Sequence, residues 1–387
     1  MERFNVVIIG AGLGGLQCAR LLGRQGVRVL LVDRKASLDA SIHTTGIFVR
    51  RTLEDFDLPE SCLGAPVRHV TLYSPARRRM LLESPQDEFR VGRMGRLYLH
   101  YLDQCLNAGV AWSPATRYLG CEASTDGQLI RLETGGRART VFARYVVGAD
   151  GARSRVALDL GLDTNREWIV GVEDVLEGVP LEGLPRFHCF LDPRIAPGYL
   201  AWVVHDGAEA HVGVGGYSSR FDPLKALEKF RASLGDIMDL SKGHQVERRG
   251  GRIPVGGVLR IIANRQGLLV GDAAGAVSPL TAGGLDPCMR LSSLAARVIV
   301  DYLGGVGAAA LAEYSGELFR TRFISRIWMR RLIAQMQEPA LLEMGCAALR
   351  LPLLNSLARH VFFGRGSFPD VNGKPSLRLA EGRAPVV

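Results

Sequence analysis

The 387-residue sequence has no long apolar run, no paired cysteine motif and little lysine. Because no uncharged apolar stretch reaches about 18 residues, we expect no membrane-spanning helix. The short apolar run near the N-terminus is used at once as a predicted strand, so a cleaved signal peptide is not expected. Seven scattered cysteines without a C-x-x-C pair or a metal-ligand spacing predict a reduced, cytoplasmic protein with no metal site.

Lysine supplies only five of the 48 basic residues, although the net charge is +9. The arginines are spread along the chain and form no basic block, so we expect no nucleic-acid partner. Hydrophobic residues make up 47% of the chain and charged residues 22%, which is typical of a folded globular protein. The length predicts two or three domains.

A glycine-rich turn follows the first predicted strand. Asn5 and the four apolar residues 6–9 run directly into Gly10-Ala11-Gly12-Leu13-Gly14-Gly15, and a helical pattern comes next. In a nucleotide-binding βαβ unit, Gly10 permits the tight turn and Gly12 lets the backbone approach a pyrophosphate. Gly15 allows the helix to pack closely, so that its N-terminal N–H groups attract the anion.

A second apolar strand, residues 27–32, ends at Asp33. A carboxylate at this position of a dinucleotide-binding fold accepts hydrogen bonds from the ribose, which favours FAD or NAD over NADP. The glycine pattern alone is a weak signal, but the strand, the helix and this acid fall at the expected spacing. The predicted dinucleotide site contains Gly10, Gly12, Gly14, Gly15, Asp33 and Arg34.

Two more glycine turns follow predicted strands. Gly148-Ala149-Asp150-Gly151 closes a long excursion from the nucleotide-binding domain, and Gly271-Asp272-Ala273-Ala274-Gly275 ends a buried strand. The segment from Pro279 to Leu285 contains a Gly-Gly pair that opens a helix. N–H groups at such a helix start stabilise negative charge on a ligand.

The middle of the chain is rich in predicted strands, and it contains candidate substrate-binding residues. Tyr199, Trp202 and His205 fall in one strand-like segment and either line a substrate pocket or are ordinary sheet residues. His43, in a polar loop, is a candidate catalytic residue, with a local hydrogen-bonding role as the alternative.

Helical patterns cover residues 93–107 and much of residues 308–364. The first begins near Arg93 and Arg96, either of which could contact a phosphate or face solvent. The second contains a predicted amphipathic helix with arginines on one face and apolar residues on another: Arg322, Arg326 and Arg330, against Phe319, Phe323 and Ile327. This pattern is typical of a packed helix with a solvated face, and it leaves peripheral membrane contact open.

The order and separation of the three glycine turns resemble the FAD-binding proteins of the para-hydroxybenzoate hydroxylase fold, over residues 4–305. Within that superfamily, residues 271–285 look most like the geranylgeranyl reductase branch, which has a similar N-P-L-T-G-E-G-I stretch. Residues 196–205 are also similar to the P-x-x-Y-x-W-x-F-P motif on that branch's substrate side.

The sequence departs from the branch pattern at positions that face the substrate. Leu200 stands at the motif's tyrosine position, and Val204-His205 stands in place of its final F-P. Thr44-Thr45-Gly46 replaces the cysteine-glycine pair near the flavin, and Ala282-Gly283-Gly284 replaces the glycine-glutamate pair. Cofactor binding is unaffected by these departures, whereas the substrate is less defined.

The resemblance implies FAD as the resident cofactor and assigns roles to matching positions. Asp33 would bind the adenosine ribose, and Arg93 lies near the family's cofactor-contacting arginine. Asp150 would serve flavin and nicotinamide contacts, and Asp272 would bind the ribityl chain. The backbone of Pro279, Gly283, Gly284 and Leu285 would stabilise charge on the reduced flavin, which also makes the glycine pair Gly283 and Gly284 a catalytic candidate.

We therefore predict an α/β protein with a Rossmann-like FAD-binding domain, an interleaved β-sheet substrate domain and a C-terminal helical region. The predicted boundaries are 1–65, 93–165 and 255–305 for the FAD-binding domain, 66–92 and 166–254 for the substrate domain, 306–365 for the helical region, and 366–387 for a tail.

The predicted activity is that of an FAD-dependent oxidoreductase that reduces carbon–carbon double bonds of an apolar, isoprenoid-like substrate by hydride transfer from flavin N5. Two alternatives stay open: a monooxygenase that hydroxylates a small organic or secondary-metabolite substrate through a flavin hydroperoxide, and a non-redox flavin-dependent cyclase. Only one dinucleotide fingerprint is present, so NAD(P)H or another electron donor, including a redox partner protein, would bind transiently. No W-x-W-x-I-P motif supports halogenation.

Overall fold

Two seven-stranded sheets organise the fold of the computed structural model, which describes residues 1–181 and 183–364. The strands are β1 (Arg3–Ile9), β2 (Val29–Val32), β3 (Ile47–Val49), β4 (His69–Tyr73), β5 (Arg79–Leu82), β6 (Phe89–Val91), β7 (Ala111–Ser113), β8 (Thr116–Ser124), β9 (Gly127–Thr134), β10 (Arg137–Gly148), β11 (Trp168–Glu177), β12 (Arg186–Phe190), β13 (Ala201–His205), β14 (Glu209–Gly216), β15 (His244–Pro254) and β16 (Gly267–Leu269). The helices are α1 (Leu13–Arg24), α2 (Arg50–Asp55), α3 (Met94–Asn107), α4 (Arg155–Asp159), α5 (Pro223–Ala232), α6 (Leu285–Asp301), α7 (Ala308–Leu311), α8 (Gly316–Thr321), α9 (Ile324–Gln335), α10 (Pro339–Ala348) and α11 (Pro352–Phe363).

The first sheet contains the parallel strands that the glycine turns predicted. Its order is β7-β2-β1-β10-β9-β8, and β16 also pairs with β10. Strands β7, β2, β1, β10 and β16 are parallel, whereas β8 and β9 extend the sheet in antiparallel fashion. Since the carboxyl ends of parallel strands meet at one edge, the turns that follow β2, β1, β10 and β16 are brought side by side.

The parallel strands are buried on both faces. Val6, Val7 and Ile8 of β1 are fully buried, which explains why β1 is a continuous apolar run rather than an alternating one. Helix α1 packs against α3 and α6. The layer of helices and the sheet together form one hydrophobic core.

The second sheet has the order β15-β11-β14-β13-β12-β4-β5, and all its pairs are antiparallel except β12 with β4. Helix α5 covers one face, where Leu227 and Phe230 are fully buried against the strands. Asp222 caps this helix, since its carboxylate accepts the N–H groups of Leu224 and Lys225. The opposite face of the sheet is directed towards the loops of the first sheet.

The C-terminal region is helical, but the predicted amphipathic helix is wrong in its extent. Helix α8 ends at Thr321 and α9 begins at Ile324, so the three arginines do not share one helix. Arg330 is only 3% exposed, and it therefore does not lie on a solvated face. Pro339 and Pro352 occupy the first positions of α10 and α11, where proline is favoured.

In the described part of the chain, no single helix has the length and apolarity of a membrane span. Only when α10 and α11 are taken together does the pair meet that criterion, and the two helices are bent by 100°. The tail predicted at residues 366–387 lies outside the described residues.

We expect Gly15→Ala to destabilise the protein even without a ligand, because a Cβ at this position would overlap the carbonyl oxygen of Gly10. Forcing α1 away from the turn should cost about 3 kcal/mol of unfolding free energy, measured by urea denaturation. Gly12→Ala is the matched control, since its Cβ would meet no atom within 4 Å and its φ of −71° suits alanine. Equal stability of the two variants would contradict this role of Gly15.

Candidate functional site

Four predicted site segments line one edge of the first sheet. Asp33 follows β2, Gly10 follows β1, Ala149 and Asp150 follow β10, and Gly271 and Asp272 come two residues after β16. Strand order reverses between β1 and β10, with β2 on one side and β16 on the other. In open parallel sheets, ligands bind in the crevice outside such a reversal.

The first turn is held by backbone contacts and by one carboxylate. Gly10 has a φ of +106°, and its carbonyl oxygen lies so close to Gly15 that a side chain there is excluded. The N–H of Ala11 donates to Oδ2 of Asp33 at 2.7 Å, and the N–H of Lys35 donates to Oδ1 at 2.8 Å. A carboxylate has further lone pairs, so Asp33 can accept additional hydrogen bonds.

Helix α1 starts at this turn without a capping side chain. Its N-cap residue is Gly12, and no side chain bonds the free N–H groups of the first turn. Those groups and the helix dipole attract an anion, and a Cβ at Gly12 would point into open space. Gly14 has a different role, since its Cβ would lie 3.0 Å from Sγ of Cys288, and it permits α1 to approach α6.

A pocket of about 540 Å³ adjoins Asp33 on the outer side of the sheet. It is lined by Arg34, Lys35, Ser41, His43, Ala115, Arg117, Glu133 and Gly135. Burial lowers the pKa of Lys35, which Asp33 partly offsets. The pocket thus continues the crevice at its Asp33 end and is lined mainly by basic and polar side chains.

Asp150 uses its carboxylate to start α4. Its oxygens accept Oγ of Ser154 at 2.6 Å and the N–H groups of Arg155 and Val156 at 2.7 and 3.1 Å. Burial raises the pKa of Asp150 despite these bonds. The side chain therefore shapes the turn, and the backbone of that turn is the part available to a cofactor.

One amide ties the second and third glycine turns together. Nδ2 of Asn165 donates to the carbonyl oxygens of Ala152 and Asp272 at 3.1 and 2.8 Å. Sequence reasoning did not single out Asn165, because nothing in its neighbourhood in the sequence indicates this bridge.

Asp272 faces the start of α6. Burial raises the pKa of its carboxyl group to about 6, and no hydrogen bond to the carboxylate is found among residues 1–181 and 183–364. A Cβ at Gly284, the N-cap residue of α6, would lie 3.7 Å from its Oδ1. The carboxylate and the uncapped helix start are therefore adjacent, which suits a ligand that both donates and accepts hydrogen bonds.

The segment from Ser278 to Gly284 forms a tight loop before α6. The N–H of Ser278 donates to the carbonyl of Gly283 at 3.0 Å, and the N–H of Ala282 donates to the carbonyl of Ser278 at 2.9 Å. Ala282 has a φ of +53°, the left-handed region in which glycine is favoured. The related N-P-L-T-G-E-G-I stretch has glycine at this position, so the structure explains that residue.

Helix α3 borders the same crevice, and it contributes a residue that sequence reasoning missed. Burial raises the pKa of Tyr98, to which Cys288 and Asp272 also contribute. Arg93 is the half-buried N-cap residue of α3, whereas Arg96 is exposed, so Arg93 is the better placed of the two arginines. Tyr98 was missed because it lies in an ordinary helical pattern.

The second sheet presents a polar cluster to these loops. Glu173 is 2% exposed, and its Oε2 accepts Oγ1 of Thr45 at 2.5 Å and Nε1 of Trp202 at 2.8 Å. Its Oε1 lies 3.3 Å from Nδ1 of His211 and 3.7 Å from Arg249. Glu173 therefore fixes Trp202 and joins the sheet to the Thr44–Thr45 loop.

On this face of the second sheet, aromatic side chains lie directly over glycine residues of the neighbouring strand β14. The indole of Trp202 lies directly against Gly213, where a Cβ would overlap its ring. Tyr199 covers Gly215, and its hydroxyl donates to the carbonyl of Thr281 at 2.7 Å. Tyr199 and Trp202 thus lie on the face directed towards the loop before α6.

The prediction that His205 lines the same pocket is wrong. His205 is 2% exposed, its Nε2 contacts the carbonyl of Val179 at 3.0 Å, and its Nδ1 accepts the N–H of Gly207. It follows Trp202 by three residues on one strand, so the two side chains point to opposite faces. His205 belongs to the face that α5 covers.

His211 occupies the polar face instead. Burial lowers its pKa, but the carboxylates of Asp206 and Glu173 outweigh burial and raise the pKa to about 9. Asp206, Glu209 and His211 place ligand atoms within 4.8 Å of one another, a spacing compatible with a cation. Because a metal requires neutral imidazole, the raised pKa favours an ion pair at this cluster.

His43 lies at the rim of the polar face. Its Nδ1 contacts the carbonyl oxygen of Gly250 at 3.1 Å, and the side chain is exposed. This contact links the Thr44–Thr45 loop to β15, and Arg249 strengthens it by donating to the carbonyl of Thr44 at 3.3 Å.

Comparison with known protein families supports a nucleotide-binding role for this crevice. Residues 3–198 match the model of the FAD binding domain family. The chain belongs to this FAD-binding family. FAD as cofactor is thereby confirmed, and the flavoprotein is an FAD-dependent oxidoreductase.

The flavoprotein is also similar to individual relatives and solved structures. It is 26% identical over 331 residues to the digeranylgeranylglycerophospholipid reductase of Methanocella arvoryzae, covering 82% of this chain and 83% of that protein. A geranylgeranyl bacteriochlorophyll reductase-like structure from Thermoplasma acidophilum superposes with a TM-score of 0.82 at 20% identity, covering 94% and 96% of the two chains. The p-nitrophenol 4-monooxygenase of Pseudomonas putida gives 0.72 at 16% identity, covering 96% and 100%.

These findings confirm the predicted fold class and the resemblance to the geranylgeranyl reductase family of FAD-dependent oxidoreductases. The monooxygenase likeness reflects the shared fold, since its sequence identity is low.

We expect Gly12→Ala to weaken FAD binding by at least about tenfold, because the new methyl group would stand where the free N–H groups of α1 meet a pyrophosphate. The measurement is titration of the flavin-free protein with FAD, followed by flavin fluorescence. Gly235→Ala, after α5 on the far side of the second sheet, serves as the control, since its Cβ would meet no atom within 4 Å. Unchanged FAD affinity in Gly12→Ala would contradict the placement of the pyrophosphate.

The ion-pair cluster predicts a pH-dependent stability. Because the pKa of His211 is raised from 6.5 to about 9, its stabilising contribution is complete below pH 6.5 and is lost as the pH rises through 9. The wild-type protein should lose on the order of 2 kcal/mol of unfolding free energy over this interval through His211. His211→Gln should be less stable at pH 6.5 and show a flatter profile, whereas exposed His360→Gln should follow the wild type.

Proposed function

We propose that this chain reduces carbon–carbon double bonds of an apolar, isoprenoid-like substrate bound between the flavin and the polar face of the second sheet. The carrying observation is the likeness to a digeranylgeranylglycerophospholipid reductase over 82% of the chain. The aromatic face formed by Tyr199 and Trp202 supports an apolar ligand. The domain boundaries predicted above are part of this proposal.

The crevice along the first sheet suits FAD from end to end. Asp33 and the adjoining pocket with Arg34 would hold the adenosine, and the uncapped start of α1 would hold the pyrophosphate. Asp272, whose carboxylate accepts no hydrogen bond from the described residues, would accept from the ribityl hydroxyls. Arg93 and the turn backbone at Asp150 lie along the same path.

The loop before α6 would meet the flavin ring. The N–H groups of Gly284 and Leu285 are at an uncapped helix start, where the helix dipole favours negative charge. Pro279 and Gly283 belong to the loop that holds this start in place. We assign to Gly283 and Gly284 stabilisation of the reduced ring through their backbone.

When bound and reduced, FAD supplies a hydride to the substrate. The protein has to position the alkene, exclude water and provide a proton to the second carbon. Trp202, fixed by Glu173, gives a rigid apolar wall for positioning. Thr45 and Glu173 hold an exchangeable proton at that wall, and Thr45 occupies the segment that replaces the family's cysteine-glycine pair.

The deciding experiment is anaerobic reduction of the FAD-loaded protein, followed by addition of a polyprenyl lipid and mass analysis of the product. We expect a gain of two hydrogens per reduced double bond and reoxidation of the flavin. Trp202→Phe should keep FAD but lower turnover, because the ring loses its hydrogen bond to Glu173. Dithionite serves as the reductant, so that the result does not depend on the natural donor.

Other products would decide for the alternatives. A gain of one oxygen after admission of air would support a monooxygenase, for which the p-nitrophenol 4-monooxygenase likeness is the relevant observation. An isomer of unchanged mass would support a non-redox cyclase. Reduced flavin that leaves several polyprenyl lipids unchanged under anaerobic conditions would contradict the proposed reductase.

A further inference from the structure

The C-terminal helices expose an unusual share of the molecule's large apolar side chains. Of twenty such exposed side chains in the described residues, nine lie between residues 318 and 357. They are Leu318, Ile324, Trp328, Leu332, Leu341, Met344, Leu351, Leu353 and Leu357. We call these nine residues, which lie on helices α8 to α11 and directly before α11, the apolar surface. Its extent requires an explanation, since a solvated helix face normally carries polar residues.

Helix α9 exposes a row of large apolar side chains. Ile324, Trp328 and Leu332 follow one another at intervals of four and are 49%, 64% and 57% exposed. The charged side chain of Arg330 is on the buried side and packs over the rings of Tyr199 and Tyr217 at 5.1 and 5.3 Å. An apolar stripe directed outwards is expected where a helix contacts an apolar phase.

The charges of residues 316–364 indicate what kind of apolar phase these helices contact. Residues 316–364 contain seven arginines, three glutamates, and no lysine or aspartate. The exposed charges among them are four arginines against two glutamates: Arg322, Arg331, Arg350 and Arg359, against Glu317 and Glu338. One of the glutamates, Glu343, is turned towards the body of the protein, where it accepts the N–H of Ala76 at 3.0 Å. Arg331, beside Trp328 at 5.5 Å, and Arg359 are exposed. Basic and apolar side chains together are the pattern of helices that lie in an anionic membrane interface.

The helix geometry agrees with lying on a bilayer rather than crossing it. Helices α10 and α11 have the joint length and apolarity of a span but are bent by 100°, so the two axes cannot both follow the bilayer normal. Leu353 at the start of α11 is 87% exposed, and Met344 on α10 is 69% exposed. Short helices joined at such an angle can place these side chains in one interfacial layer.

We propose that the apolar surface binds an anionic lipid bilayer. This binding would bring the proposed substrate site beside Tyr199 and Trp202, which we call the substrate chamber, to the membrane. The same α9 that exposes Trp328 reaches the chamber with its other side, where Arg326 contacts Oγ of Ser278 at 3.4 Å. A helix with its side chains is about 10 Å thick, so the chamber would lie close to the lipid. The delivery of substrate rests on the proposed reductase function, whereas bilayer binding does not.

The test is flotation of the full-length, FAD-loaded protein with phosphatidylglycerol-containing vesicles and with pure phosphatidylcholine vesicles. We expect binding to the anionic vesicles that weakens with added salt, and a blue shift of tryptophan fluorescence. The double variant Trp328→Ser, Leu353→Ser should bind at least about tenfold more weakly, because two large apolar side chains no longer enter the interface. The control Leu106→Ser, Leu158→Ser removes exposed leucines elsewhere and should bind like the wild type.

Failure of bilayer binding and failure of the reductase are separable. Equal binding by the wild type and the Trp328, Leu353 variant, or no binding to anionic vesicles, would overturn the membrane proposal. Concentration-dependent dimerisation that the same variant abolishes would assign the surface to a second copy instead. If both proposals hold, the variant should reduce a detergent-dispersed polyprenyl lipid at the wild-type rate and a vesicle-embedded one more slowly.

Discussion

The close contact of backbone with backbone at the carboxyl edge of the first sheet is the constraint on which the site depends. A side chain at Gly15 would overlap the carbonyl of Gly10, and one at Gly10 would overlap the carbonyl of Ala149. The first two glycine turns and the start of α1 are thus locked to one another without side chains. Asn165 extends this arrangement to the third turn. The shape of the crevice is consequently determined by the backbone of the first sheet and its turns. The side chains beside the crevice can therefore vary without changing that shape.

The sequence was sufficient for features determined locally or by a short repeat. The glycine turns and the acids at Asp33 and Asp272 are governed by neighbouring residues, and the structure has the corresponding strands and helices there. The fold class followed from their order. The predicted arginine-rich helix was wrong because the chain breaks at Arg322 and Phe323, between α8 and α9, and the spacing of residues 319–330 did not reveal this break.

Residues whose roles depend on long-range pairing were not predictable in the same way. Glu173 joins Thr45, Trp202 and His211 from three other segments, and no spacing in the sequence connects them. Tyr98 approaches Asp272 only through the packing of α3. His205 is a different case, because the two-residue period of a strand already separates it from Trp202. Strand parity is therefore a useful check on any set of proposed pocket residues.

The position of the Trp202 indole also affects how the proposed substrate site could change between related proteins. It rests on the bare backbone of Gly213 and is anchored by a single hydrogen bond to Glu173. A methyl group added beneath the ring would lift it away from the sheet and towards the space where we propose that the substrate binds. Replacing Gly213 would therefore change the depth of the proposed substrate site. Ligand length could be selected in this way while the flavin and its loops stay unchanged.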